Sequence, residues 1–159
     1  MIARRRFLTV LGGFAVASTP LLAIAPKAAR PAMRVHRDPS CGCCEAWVAH
    51  VRRSGFEARI EVTDDIDAVK RRLGVPAALA SCHTAEIDGY LVEGHVPAEV
   101  IEKLLAERPA IRGLAVPGMP IGSPGMETPG EAPEPFRVIA FDASGRASVF
   151  ADFPRGWMR

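Results

Sequence analysis

Three of the four cysteines fall within four positions: Cys41, Cys43 and Cys44, in the stretch PSCGCCEAW (Pro39 to Trp47). They mark the change from an extended run to a helical one. MRVHR, residues 33–37, reads as a short strand. Pro39 and Ser40 break it, and Ser40 is a candidate helix cap. From Cys43 to Arg53 an apolar stripe of Trp47, Val48 and Val51 marks a helix that Gly55 ends. A disulfide uses two cysteines, so the junction must accommodate a third.

The next segments are alternately extended and helical. FEARIEV, Phe56 to Val62, alternates strictly and reads as a strand. Thr63 or Asp64 is positioned to cap a second helix with Ile66, Val69 and Leu73 on one face. Lys70, Arg71 and Arg72 close that helix as a charge run suited to its dipole, before Gly74 and Pro76 stop it. Thr84 to Ile87 and Tyr90 to Glu93 flank the turn Asp88-Gly89 as a hairpin. Pro97 opens a third helix, Ala98 to Glu107, with Val100, Ile101, Leu104 and Leu105 inward. The order is β-α-β-α-β-β-α, which resembles a thioredoxin-like α/β domain, with the cysteines where such domains keep their CxxC.

The last quarter differs in composition. From Pro117 to Pro135, ten of nineteen residues are Pro or Gly, the composition of a flexible linker. Yet Pro-Gly-Met recurs, at Pro117–Met119 and Pro124–Met126, which places two thioethers on a stiff loop. PFRVIAFDASGRASVF then alternates around a turn at Gly145, a C-terminal hairpin over residues 136–150 that is expected to pack back on the domain. Residues 33–153 thus read as one domain with loop 117–135 as a cover.

Pairing options frame the site. Cys41 and Cys44 have the spacing of a dithiol oxidoreductase and share one face of the helix start. A vicinal Cys43–Cys44 bond would be strained. One disulfide is therefore easy and leaves Cys43 over, with Cys82 remaining. In this fold the third strand runs antiparallel to the first, so Ser81-Cys82-His83 begins where the first strand ends, and the fourth strand brings Gly94-His95 to the same rim. A helix N-terminus favours thiolates, and thiolates packed together repel one another unless a soft cation joins them. Thiolate and thioether ligands select Cu(I), whereas Cys/His sets also hold zinc. Met119 and Met126 favour copper. Cys41, Cys43, Cys44 and Cys82 are the expected metal ligands. Four weaker candidates each have a plainer reading: His83 pointing away along its strand, His95 as a polar turn residue, and Met119 and Met126 as core packing. His36 reads as a satisfied strand histidine and His50 as solvated, while Trp157 and Met158 lie in a tail without a role.

SCGCC, LASCHTAEIDGYLVEGHVP and GLAVPGMPIGSPGME together resemble the segments that mark the CopG-like periplasmic copper-resistance proteins, formerly a domain of unknown function. The resemblance runs from about Met33 to Phe153. It implies a thioredoxin-like fold, a CxCC copper site extended by Cys82, a role in copper tolerance, and interconversion of Cu(I) and Cu(II). It leaves open whether the chain turns over as a copper oxidoreductase. The cis-proline that precedes the third strand of ordinary thioredoxins is absent; Cys82-His83-Thr84 stands there, which argues against general disulfide exchange. Two alternatives remain: a thiol–disulfide oxidoreductase using Cys41 and Cys44, and a non-enzymatic module sequestering copper or zinc.

Residues 1–30 carry Arg4, Arg5 and Arg6 ahead of the apolar run Phe7 to Ala25, the pattern of a secretory signal peptide. RRRFL also fits the twin-arginine route, and an uncleaved anchor is the alternative. The expected location is the periplasm, with membrane contact only through this segment. Five basic residues and no acid lie in these thirty, leaving fifteen basic against eighteen acidic residues, a formal charge of −3. Nothing there marks a nucleic-acid partner. The expected partners are copper ions and periplasmic copper-handling or electron-transfer proteins.

Overall fold

The computed structural model describes residues 30–157. The expected signal segment and Met158 lie outside the described residues. The elements are β1 (Met33–Arg37), α1 (Gly42–Arg53), β2 (Ala58–Val62), α2 (Ile66–Leu73), a single 3-10 turn (Ala77–Leu79), β3 (His83–Ile87), β4 (Tyr90–Glu93), α3 (Ala98–Glu107), β5 (Gly113–Ala115), β6 (Phe136–Phe141) and β7 (Ala147–Phe153). The strands form one sheet in the order β2-β1-β3-β4-β5-β6-β7. β1 is parallel to β2 and antiparallel to β3. The domain is thioredoxin-like, as the order of segments predicts.

Alternation along the strands divides the core between the two faces of the sheet. Val35, Ala85, Val92 and Leu114 join Trp47 and Val51 of α1 and Ile101 and Leu104 of α3 in the main core. Their strand neighbours Leu91 and Ala115 turn to a smaller cluster with Phe141, Val75 and Leu73, at the end of α2. Fully burying side chains of this size stabilises the fold by about 1.5–3 kcal/mol each.

Local sequence rules miss in four places. Ser40 does not cap α1: Cys41 is the N-cap residue and no side chain caps the helix, because the Ser40 hydroxyl turns back onto Asp38 Oδ1. Asp65, not Thr63 or Asp64, caps α2, accepting from the Ala68 amide at 2.8 Å. β5 has no counterpart in the sequence reading, since three residues are too few for a period to show. It pairs β4 in parallel and β6 antiparallel, and so brings the C-terminal hairpin into the main sheet. That hairpin runs to Phe153, three residues beyond the expected end.

Candidate metal centre

The site begins at the uncapped start of α1. Cys41 has φ −78° and ψ 90° and leads into a first turn that holds Cys43 and Cys44. Amides in such a turn have no helical acceptor and favour negative charge beside them. The buried guanidinium of Arg37 fixes the approach. Its Nη1 donates to the carbonyls of Asp38 and Pro39, at 2.9 and 3.2 Å, and its Nη2 pairs with Glu45. Cys41 and Cys44 are joined as a disulfide with Cα atoms 5.5 Å apart. Cys43 and Cys82 are free thiols, each half-buried.

Strand register delivers the fourth cysteine. Arg37, at the end of β1, pairs with His83, at the start of β3, which sets Cys82 beside the α1 junction. Cys43 Sγ lies 3.5 Å from Cys41 Sγ and 3.9 Å from Cys82 Sγ. The Sγ atoms of all four cysteines lie within 4.8 Å of one another. Burial, together with the neighbouring Cys43, pushes the Cys82 thiol up to about 12.

Both rim histidines reach Cys82. His83 Nδ1 is 3.2 Å and His95 Nε2 3.0 Å from its sulfur, and the three residues form a second compact donor group. His83 therefore does not point away. Its ring lies against Trp47 at 4.3 Å, and its Nε2 is buried without a hydrogen-bond partner. Burial holds the His83 pKa well below its ordinary value, reinforced by His95 and Lys70. Burial also lowers that of His95, against the opposing effects of Pro124 and Glu127. Neutral imidazoles are the form that can donate to a metal.

The start of β3 is held from behind by a buried charge network whose lysine reads, in sequence, as part of the charge run that ends α2. Lys70 Nζ lies 2.5 Å from Glu93 Oε1 and donates to Thr84 Oγ1 at 3.0 Å. Glu93 also accepts from the Ser81 amide at 2.6 Å and from the Thr84 hydroxyl at 2.5 Å. Lys70, Thr84 and Glu93 are all buried. Ser81 and Thr84, which flank the pair Cys82-His83, are thus tied to one carboxylate.

The Pro/Gly/Met loop is seated on the site. Its Pro124 carbonyl meets His95 Nδ1 at 2.8 Å, and Ser123 is fully buried. Gly125 has φ +87°, and a Cβ there would come within 2.6 Å of the Trp47 amide nitrogen. Only glycine lets the loop backbone lie this close to α1. The same holds at Gly94, φ +69°, where a Cβ would strike the Ser81 side chain and the Val116 carbonyl. The loop doubles back through paired backbone groups of Ile121 and Glu134. Met119 Sδ lies 3.9 Å from Cys43 Sγ. Among the described residues Met126 makes no such sulfur contact; its amide and carbonyl close turns with Ser123 and Gly122.

The remaining histidines are structural. His36 sits between Glu61 and Glu86, at 3.3 and 2.9 Å. His50 is buried rather than solvated, and its Nε2 accepts from the Ala98 amide at 3.0 Å, at the head of α3. Trp157 stacks edge-on to His50 at 4.9 Å and donates to Glu99, so this tail residue does have a packing role.

Comparison with known proteins covers the segments that build this site. Residues 79–126, which carry Cys82, His83, His95, Met119 and Met126, match a family described as a protein of unknown function, DUF411. No curated protein matches the chain. Two solved structures are similar to it, titled copper resistance protein copG, form 1 and form 2. Each is 51% identical with a TM-score of 0.74 over 79% of this chain, covering 98% and 99% of the respective structure.

Proposed function

Since the chain belongs to the family of the copper resistance protein CopG, we propose that it is an exported copper-binding protein that holds Cu(I) as a multinuclear thiolate cluster. The observation that carries this reading is the meeting of four sulfur atoms within 4.8 Å at one helix start. Copper is its cargo. Cys41, Cys43, Cys44 and Cys82 are the ligands once the Cys41–Cys44 bond is reduced, and adjacent thiolates bridge neighbouring ions. Met119 adds a neutral thioether at the solvent side. His83 and His95 hold Cys82 and are the nitrogen donors within reach. The donor set fits copper, because thiolates and thioethers are the soft ligands that select Cu(I).

The protein acts in the periplasm in copper tolerance, exchanging copper or electrons with proteins of that compartment, and the site cycles copper between Cu(I) and Cu(II). No helix among the described residues is long and apolar enough to cross a membrane. The test is anaerobic titration of the reduced mature protein with Cu(I) against a competing chelator. The expected result is more than one ion per chain. Saturation at one ion or fewer removes the cluster, and preference for zinc supports a sequestering module instead.

A second reading, thiol–disulfide exchange through Cys41 and Cys44, draws on the bond that joins them. Cys43→Ser separates the two: a dithiol enzyme keeps its exchange activity, whereas the copper cluster loses ions.

A further inference from the structure

We propose that the protein with its Cys41–Cys44 bond closed keeps a three-sulfur site for one Cu(I), made by Cys43, Cys82 and Met119. The inference rests on copper as the cargo and concerns the oxidised state of the same site. Closing the disulfide removes two donors but leaves Cys43 and Cys82 free. Cys43 Sγ stands 3.9 Å from Cys82 Sγ and 3.9 Å from Met119 Sδ. Metal–sulfur bonds of about 2.3 Å around a three-coordinate ion set the sulfurs about 4 Å apart. Both distances from Cys43 therefore already match the edges of such a site.

The donor set chooses the ion. Two thiolates and one thioether are soft, and the thioether adds no charge, which suits a monovalent soft cation over zinc. Access differs from the rest of the cluster as well. Cys44 is fully buried, whereas Met119 is 50% exposed and Cys43 is half-buried. An ion reaches Met119 and Cys43 from solvent without any movement of the core.

The chain then has two capacities, separated by one bond. A dithiol reductant opens the larger one. Its thiolate attacks one sulfur of the Cys41–Cys44 bond, releasing the other cysteine. Its second thiol then displaces the mixed disulfide. The reductant leaves as a cyclic disulfide, its two electrons and two protons now on the two cysteines.

The test uses the mature protein with the disulfide intact, verified by two titratable thiols per chain. It is titrated anaerobically with Cu(I) against a chelator, and in parallel with Ag(I), which does not reduce disulfides. One ion per chain is expected. Met119→Leu should weaken binding at least tenfold in this state and less in the reduced protein, where other thiolates take over. Cys43→Ser should abolish binding in the closed state. Cys41→Ser/Cys44→Ser, which lacks the same two donors without a disulfide, should also hold one ion. If the closed protein binds nothing while the reduced protein binds several ions, the three-sulfur site is wrong and the cluster stands. Binding indifferent to both Cys43→Ser and Met119→Leu overturns it equally. Failure of both states to bind rejects copper as the cargo.

Discussion

His95 Nε2 lies 3.0 Å from Cys82 Sγ, and the other nitrogen of the same ring meets the carbonyl of Pro124 at 2.8 Å. One imidazole thus connects the distal cysteine of the site to the loop that covers it.

Cys82→Ser should lower the number of Cu(I) ions held by the reduced protein while leaving the fold intact. The side chain is only partly buried, so its loss makes no large cavity. The readout is copper per chain beside a circular dichroism spectrum. Unchanged stoichiometry in a folded variant would falsify a ligand role and leave Cys82 as a packing residue.

The two methionines of the repeated Pro-Gly-Met should behave differently. Met119→Leu keeps bulk and removes the sulfur, and in the disulfide-closed protein about tenfold weaker Cu(I) retention, roughly 1.4 kcal/mol, is expected. Met126→Leu should match the parent, because the backbone of Met126, not its sulfur, is engaged. Competition against a Cu(I) chelator measures both, and equal losses in the two variants would contradict this division.

Metal-free protein should lose stability as the pH falls below 6.5. His83 and His95 have folded pKa values beneath the unfolded value of 6.5. Above 6.5 both states are neutral at these rings and stability is complete. Below it the unfolded chain binds protons that the folded one refuses. The slope is about 1.4 kcal/mol per pH unit for each ring so affected, and it ends at each ring's own folded pKa. Urea melts from pH 7.5 to 5 read it, and His83→Gln should flatten the profile. A flat profile in the parent would show that the rings protonate without unfolding.

Lys70→Met should destabilise the fold by about 3–5 kcal/mol, because it leaves Glu93 charged, buried and unpaired. Arg71→Met and Arg72→Met, one and two positions along the same helix but exposed, should each change stability by less than about 0.5 kcal/mol. Chemical denaturation of the three variants gives the comparison. A Lys70 variant as stable as the other two would mean that Glu93 needs no cation beside it to stay buried.

Where local rules suffice, the sequence was readable. The order of strands and helices follows from periods of two and three to four residues, and the antiparallel course of β3 places Cys82 and His95 without any alignment. Proximity at the rim was therefore a topological consequence. What stayed hidden depended on contacts between distant segments. Lys70 looks like Arg71 and Arg72 in sequence, and only the opposing Glu93 on β4 makes it a core residue. His50 carries no local sign that α3 will start against it. Met119 and Met126 are identical in their tripeptides. They differ because Gly125 presses the second repeat onto α1 while the first stays at the open side.

The cover runs from the end of β5 to the start of β6, and those two strands are direct hydrogen-bonded neighbours, with Ala115 opposite Ile139. Its two ends are therefore anchored side by side whether or not its middle touches α1. Peeling it off breaks the Pro124 and Gly125 contacts and leaves every ladder of the sheet in place. Small loop movements of this kind take nanoseconds to microseconds, against far slower global unfolding. The same stitching that makes the domain one sheet leaves the cover tied to the sulfur rim by its own contacts alone, so that the seal over the rim and the integrity of the sheet are separate matters.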